Sequence, residues 1–170
     1  MAEQLSRQLN IPIIQTSKTN KKPKEAQITD KSFTKGKILK MAFDKSDGIS
    51  IKGEYKHRNK YFVVLGEIPN DGIVGTFFIN SEINENIINT KDLLDCQFPL
   101  KEKDYTQLLK YDSYLDCSEL FEINKVKIKN IGVEIGSLTK RDNELVTEHI
   151  ENSKVLTPKQ KKKFGFEDKS

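Results

Sequence analysis

Lys56-His57-Arg58-Asn59-Lys60-Tyr61-Phe62-Val63-Val64-Leu65-Gly66, followed by Pro69-Asn70-Asp71-Gly72 and then Ile73-Val74-Gly75-Thr76-Phe77-Phe78-Ile79-Asn80-Ser81, is the stretch that decides the fold. Tyr61 to Leu65 is an unbroken apolar run bounded by Gly66, the pattern of a strand covered on both faces. Pro69 fixes φ and Gly72 accepts positive φ, so the chain turns and Ile73 to Ile79 returns antiparallel. The product is a β-hairpin. Its open end carries Lys56, His57, Arg58 and Lys60 on one strand and Asn80 and Ser81 on the other.

Upstream, Gly36 to Asp44 has the length and apolar content of a first strand with Lys40 outward, and the glycine-containing, charged segment 45–57 reads as an exposed loop. Downstream, the asparagine-rich segment 80–89 favours local turns or a short helix, because its side chains compete for the backbone. Leu93 to Leu100 reads as a strand limited by Pro99, and Asp104 to Leu109 as one or two helical turns. Tyr111 to Cys117 and Glu119 to Ile128 alternate as closing strands. Leu145, Val146 and Ile150 give helical spacing over Asn143 to Asn152, and Thr157-Pro158 starts a second short helix by the rule of a cap followed by proline. The fold class is therefore mainly β: a small antiparallel barrel with C-terminal helices. Residues 1–32 read as a flexible basic arm whose apolar patch Ile11-Pro12-Ile13-Ile14 is suited to docking on a sheet edge or partner. Residues 33–156 form the barrel domain with its helix, and residues 157–170 a short helix and basic tail.

The chain has 170 residues, 35% hydrophobic and 32% charged, which fits one domain with a modest core. Net charge is +4, but residues 1–35 and 154–170 each carry +4 and the middle carries −4. Basic ends on an acidic body can tether a polyanion, or simply keep the ends solvated; a folded nucleic-acid reader with a broad basic face is disfavoured. Cys96 and Cys117 lack a CxxC partner, so they read as two buried thiols in a reducing cytoplasm rather than a zinc site. No signal-peptide pattern and no run of eighteen apolar residues is present, which predicts a cytoplasmic protein with no membrane partner. No glycine-rich phosphate loop is present, and neither a metal nor another cofactor is predicted. His149, beside Glu148, reads as a surface histidine.

Three blocks resemble the MazF/PemK family of type II toxin–antitoxin systems, whose members have an SH3-like barrel and include metal-independent endoribonucleases. Gly36 to Asp44 is similar to the family's opening strand, and Arg58 followed by Val63-Val64-Leu65 to its Arg-Pro-x-x-Val-Leu block. Phe78-Ile79-Asn80-Ser81 is similar in place to its Pro-x-Thr-Ser/Thr. Asn59 stands at the proline position, Lys37 where the family has Asp, and Asn80 at the active-site threonine position, so the hydroxyl is either displaced to Ser81 or lost. The resemblance implies cleavage of single-stranded RNA, control by an antitoxin protein, and a homodimer.

Metal-free RNA cleavage needs the 2′-hydroxyl activated, the phosphorane stabilised and the leaving oxygen protonated. Arg58 supplies a permanently cationic fork matched to two phosphate oxygens. His57 titrates near neutrality and suits a base or acid, although neighbours on an extended segment face opposite ways. Asn80 or Ser81 can donate to a nonbridging oxygen, and Lys56 and Lys60 can hold flanking phosphates. The competing expectation is Arg58 paired to a carboxylate such as Glu54 or Asp116, in a noncatalytic SH3-like module that binds a protein or nucleic acid.

Overall fold

The computed structural model describes residues 22–170, so the apolar patch of residues 11–14 lies outside the described residues. β1 (Lys37–Phe43), β2 (Arg58–Ile68) and β3 (Ile73–Asn80) form an antiparallel meander. Its second turn is the one read from the sequence, with Asn70 at φ 70° and Gly72 at φ 62°, both left-handed conformations that asparagine and glycine tolerate.

Next come α1 (Lys91–Asp95), β4 (Gln97–Leu100), β5 (Ser113–Asp116), β6 (Phe121–Asn124), α2 (Lys125–Ile131), β7 (Val133–Ser137), α3 (Lys140–Asn152) and α4 (Pro158–Lys163). The seven strands make one antiparallel sheet in the order β4-β5-β3-β2-β1-β7, with β6 on β3 beyond β5. A register shift between Val64 and Gly66 bends β2 and helps to curl the sheet into a half-barrel. Among the described residues, β4 and β7 do not pair with each other. The expected fold class stands: mainly β, antiparallel, barrel-like, with C-terminal helices.

Both faces of the sheet are covered, as the unbroken apolar run required. Phe62 and Val64 join Phe43, Phe78, Ile123 and Ile128 on one face, where ring centroids of Phe43 and Phe78 lie 5.2 Å apart, edge to face. Val63 and Leu65 join Phe77, Leu115, Val146 and Ile150 on the other. Phe164 and Phe166 finish that second core, so the C-terminal segment is more than the solvated basic tail its lysines predict. Phe164 packs so closely on β3 that a Cβ at Gly75 would lie 2.6 Å from its ring.

Three expectations are corrected by capping and by pairing. Leu93 to Asp95 is not strand but helix, because Thr90 Oγ1 accepts from Leu93 N–H at 3.3 Å and starts α1; only Gln97–Leu100 is strand. Val126 and Ile128 are helical, because Asn124 Oδ1 accepts from Val126 N–H at 2.8 Å and ends β6. The end of the expected flexible arm is ordered: Ala26 exchanges two backbone hydrogen bonds with Glu134 of β7, of 2.8 and 2.9 Å, and buried Ser32 donates to the Glu134 carboxylate.

Candidate functional site

β2 runs past its apolar stretch, and that extension builds the site. Side chains alternate along a strand, so Arg58 and Lys60 continue the face occupied by Phe62 and Val64. On β1 the residues opposite Lys60 and Arg58 are Met41 and Phe43, which forces two cations to the margin of an apolar face. They open into a cleft of about 1410 Å³ shared with Asn80 and Ser81 at the end of β3. Six cations line this cleft (Lys22, Lys40, Lys52, Arg58, Lys60 and Lys110) against three carboxylates, Glu25, Glu82 and Glu85. Tyr111, 63% exposed, adds an aromatic surface to the opposite wall.

Lys60 is the most perturbed group there. Its ammonium donates to Asn80 Oδ1 at 2.6 Å and lies 5.1 Å from the Phe78 ring centroid. Burial, and then the neighbouring positive charge of Arg58, pull its pKa down to about 8, against a smaller opposing pull from Asp116. A lysine in this range exchanges a proton near neutral pH, which an exposed lysine does not.

Arg58 makes one weak hydrogen bond, from Nη1 to the Ser50 carbonyl at 3.4 Å. Among the described residues no carboxylate lies within ion-pair distance of it. Asp116 is engaged elsewhere, accepting from Gln97 Nε2 at 2.8 Å and from Ser118 N–H at 3.0 Å. The guanidinium is therefore available to an anion. It makes no hydrogen bond to Asn80; the cation bonded to that amide is Lys60.

The structure thus brings together Arg58, Lys60, Asn80 and Ser81, and separates two residues from them. Lys56 lines a different, shallower depression of about 490 Å³ with Asp44 and Tyr55. His57 is exposed, does not line the cleft, and is close enough to Asp44 that its charge helps lower that carboxyl below its ordinary value, behind the hydrogen bonds from Ser46. His57 precedes the first residue of β2, Arg58, and belongs to the exposed loop that leads into the strand. Within the cleft the side chain with a pKa near neutrality is that of Lys60.

Sequence reading also missed Lys40, Tyr111 and the segment at residues 22–25 as cleft wall. Glu25 carries that segment in, pairing with Lys40 at 2.6 Å. The Lys60 signal was present in the alternation Arg58, Lys60, Phe62, Val64; the position of residues 22–25 depends on a contact more than a hundred residues away and left no local signal.

His149 is half-buried rather than freely exposed, with its ring 6.2 Å from Phe98 and its pKa lowered by burial. Among the described residues no group of three or more His, Cys, Asp or Glu side chains is placed to hold a metal ion, and no helix is long and apolar enough to cross a membrane. Compared with protein-family models and with curated proteins, the chain matches none. The resemblance to MazF/PemK proteins therefore rests on short sequence blocks alone, three in the β1–β3 meander and a weaker one at Ser113-Tyr114-Leu115-Asp116 in β5.

Proposed function

We propose that the cleft binds single-stranded RNA and cleaves it without a metal ion, as a divergent MazF/PemK-like endoribonuclease. The observation that carries this reading is an arginine without a carboxylate partner among the described residues, beside a lysine whose pKa is about 8, in one cationic cleft. Simple phosphate binding needs positive charge. It does not need a lysine that releases its proton near neutrality.

In the proposed reaction the RNA backbone lies along the cationic side. Neutral Lys60, about one tenth of the population at pH 7 given a pKa of about 8, takes the 2′-hydroxyl proton. The 2′-oxygen attacks the adjacent phosphorus and the bond to the 5′-oxygen breaks, leaving a 2′,3′-cyclic phosphate and a 5′-hydroxyl. Arg58 holds two phosphate oxygens as charge builds on them. Ser81 Oγ, or Asn80 Nδ2, donates to a nonbridging oxygen. The protonated lysine then returns its proton to the leaving side. An antitoxin-type protein that covers the cleft would switch the activity off.

One observation favours a second reading. Lys60 and Asn80 already satisfy each other at 2.6 Å, as they would in a noncatalytic module that only binds RNA or a protein through the same cleft. Incubating pure protein with single-stranded RNA in excess chelator separates the two. The nuclease reading expects new 5′-hydroxyl ends with wild type and their loss in Arg58→Ala. Equal cleavage by both proteins would overturn the mechanism, and binding without cleavage at any pH from 6 to 9 would leave the module.

A further inference from the structure

Cys96 and Cys117 take no part in the cleft, yet the fold joins them by a backbone hydrogen bond inside one apolar cluster. Gln97 pairs with Asp116 at the end of the β4–β5 ladder, and just beyond it Cys117 N–H donates to the Cys96 carbonyl at 3.0 Å, while the N–H of Cys96, in helical conformation, turns back to α1. One N–H···O bond of that length holds the two Cα atoms to at most about 6.8 Å, within the window of about 4.4–6.8 Å that a disulfide spans. Both thiols are buried in the same apolar cluster, 4% and 0% exposed. Cys96 Sγ has one polar neighbour, Ser153 Oγ at 3.9 Å.

Their place in the chain ties them to the cleft. Residues 97–116 form the loop between the two cysteines, and that loop carries Leu108, Leu109, Lys110, Tyr111 and Ser113, one whole side of the cleft. A bond between the two sulfurs would lock one end of the β4–β5 ladder, whose other end, Leu100 opposite Ser113, carries residues 101–112.

We propose that Cys96 and Cys117 are a dithiol that hydrogen peroxide converts to a cross-strand disulfide, and that the bond stiffens the 101–112 wall of the cleft. In the first step one sulfur attacks peroxide: an S–O bond forms, the O–O bond breaks, and water leaves after protonation. The second sulfur then displaces that oxygen; the S–S bond forms, the S–O bond breaks, and a second water leaves. Two thiols and one peroxide thus give one disulfide and two waters. Burial raises both thiols, that of Cys117 well above its ordinary value, so reaction waits on local opening. The natural place is α1, a five-residue helix that Cys96 itself terminates. This inference stands whether or not the cleft handles RNA.

The test treats the full-length protein with hydrogen peroxide and measures free thiols, intact mass, disulfide-linked peptides and amide exchange. Expected are loss of both thiols, a mass lower by about 2 Da, one peptide pair joining Cys96 to Cys117, and a Tm higher by roughly 5 °C. Exchange across residues 101–112 slows by about fivefold or more. Cys96→Ser should show none of these changes, and Cys117→Ala serves in its place if that variant folds poorly. Thiols that persist under peroxide while reacting fully in denaturant would overturn the proposal. So would sulfinic acid or links between two copies in place of the internal bond. Unchanged exchange at 101–112 in the disulfide form would overturn the coupling to the cleft.

Discussion

Two lysines are drawn into this molecule, and their surroundings make them different chemical objects. Lys161 has a fully buried side chain whose ammonium donates to the Glu151 carbonyl at 3.0 Å, the Ser153 carbonyl at 2.7 Å and Asp168 Oδ1 at 2.6 Å. Three acceptors, one of them anionic, replace its water and hold the C-terminal segment against α3. Lys60 has one neutral acceptor, Asn80 Oδ1, an aromatic ring, and the like charge of Arg58 nearby. A buried cation that finds all its acceptors becomes a staple; one left with a single amide beside another cation becomes a group that gives up its proton.

Breaking each environment should have opposite consequences. The largest effect is expected at Arg58. Arg58→Ala removes the neighbouring cation that lowers the Lys60 pKa, and the proposed phosphate clamp with it, so the proposed RNA cleavage should fall about 10³-fold, near 4 kcal/mol in barrier. Single-turnover rates at saturating RNA measure this loss, with binding affected less than rate.

Lys161→Met comes next. It leaves two carbonyls and Asp168 without their donor, and urea denaturation should show a loss of about 3 kcal/mol. Lys60→Met should go the other way. Because the folded-state pKa of Lys60 is depressed to about 8, the unfolded chain binds more protons between pH 8 and the ordinary lysine value, and native stability rises with pH across that window. The variant should therefore be more stable than wild type at pH 7, by about 1 kcal/mol after allowing for partial exposure. Its advantage should shrink as pH climbs from 8 to 10.

The smallest effect belongs to Asp168, whose hydrogen bonds from Lys161 and Ser170 hold its pKa at about 2. A depressed carboxyl contributes stability that is present above the ordinary value and lost as pH falls through the folded one. Wild type should lose this contribution between pH 4 and 2 in acid titrations followed by circular dichroism. Asp168→Asn should lack that part of the slope and be slightly weaker at neutral pH.

The β1–β3 meander was legible because its pattern is local: a two-faced apolar run, a Pro-Asn-Asp-Gly turn and a second apolar run. The α4 start at Thr157-Pro158 was legible for the same reason, with Thr157 Oγ1 accepting from Gln160 N–H at 3.2 Å. Val126 and Ile128 misled because alternation over so few residues fits strand and helix alike, and a single asparagine cap decides. β7 was hidden because it is defined by pairing with β1, nearly a hundred residues away. In the C-terminal segment five lysines obscured Phe164 and Phe166, which the core buries. At the site, Arg58, Asn80 and Ser81 followed from the hairpin's open end. That His57 stays outside the cleft while Lys60 lines it depends on where β2 begins, at Arg58, which the charged run of residues 56–60 does not mark.

The titration of the Lys60 side chain itself, followed by carbon-detected NMR of its ε-methylene in the full-length protein, tests the electrostatics on which the site depends. A midpoint near 8 in wild type, rising when Arg58 is replaced by glutamine, is the predicted result. A midpoint at the ordinary value near 10.5, indifferent to that replacement, would contradict it.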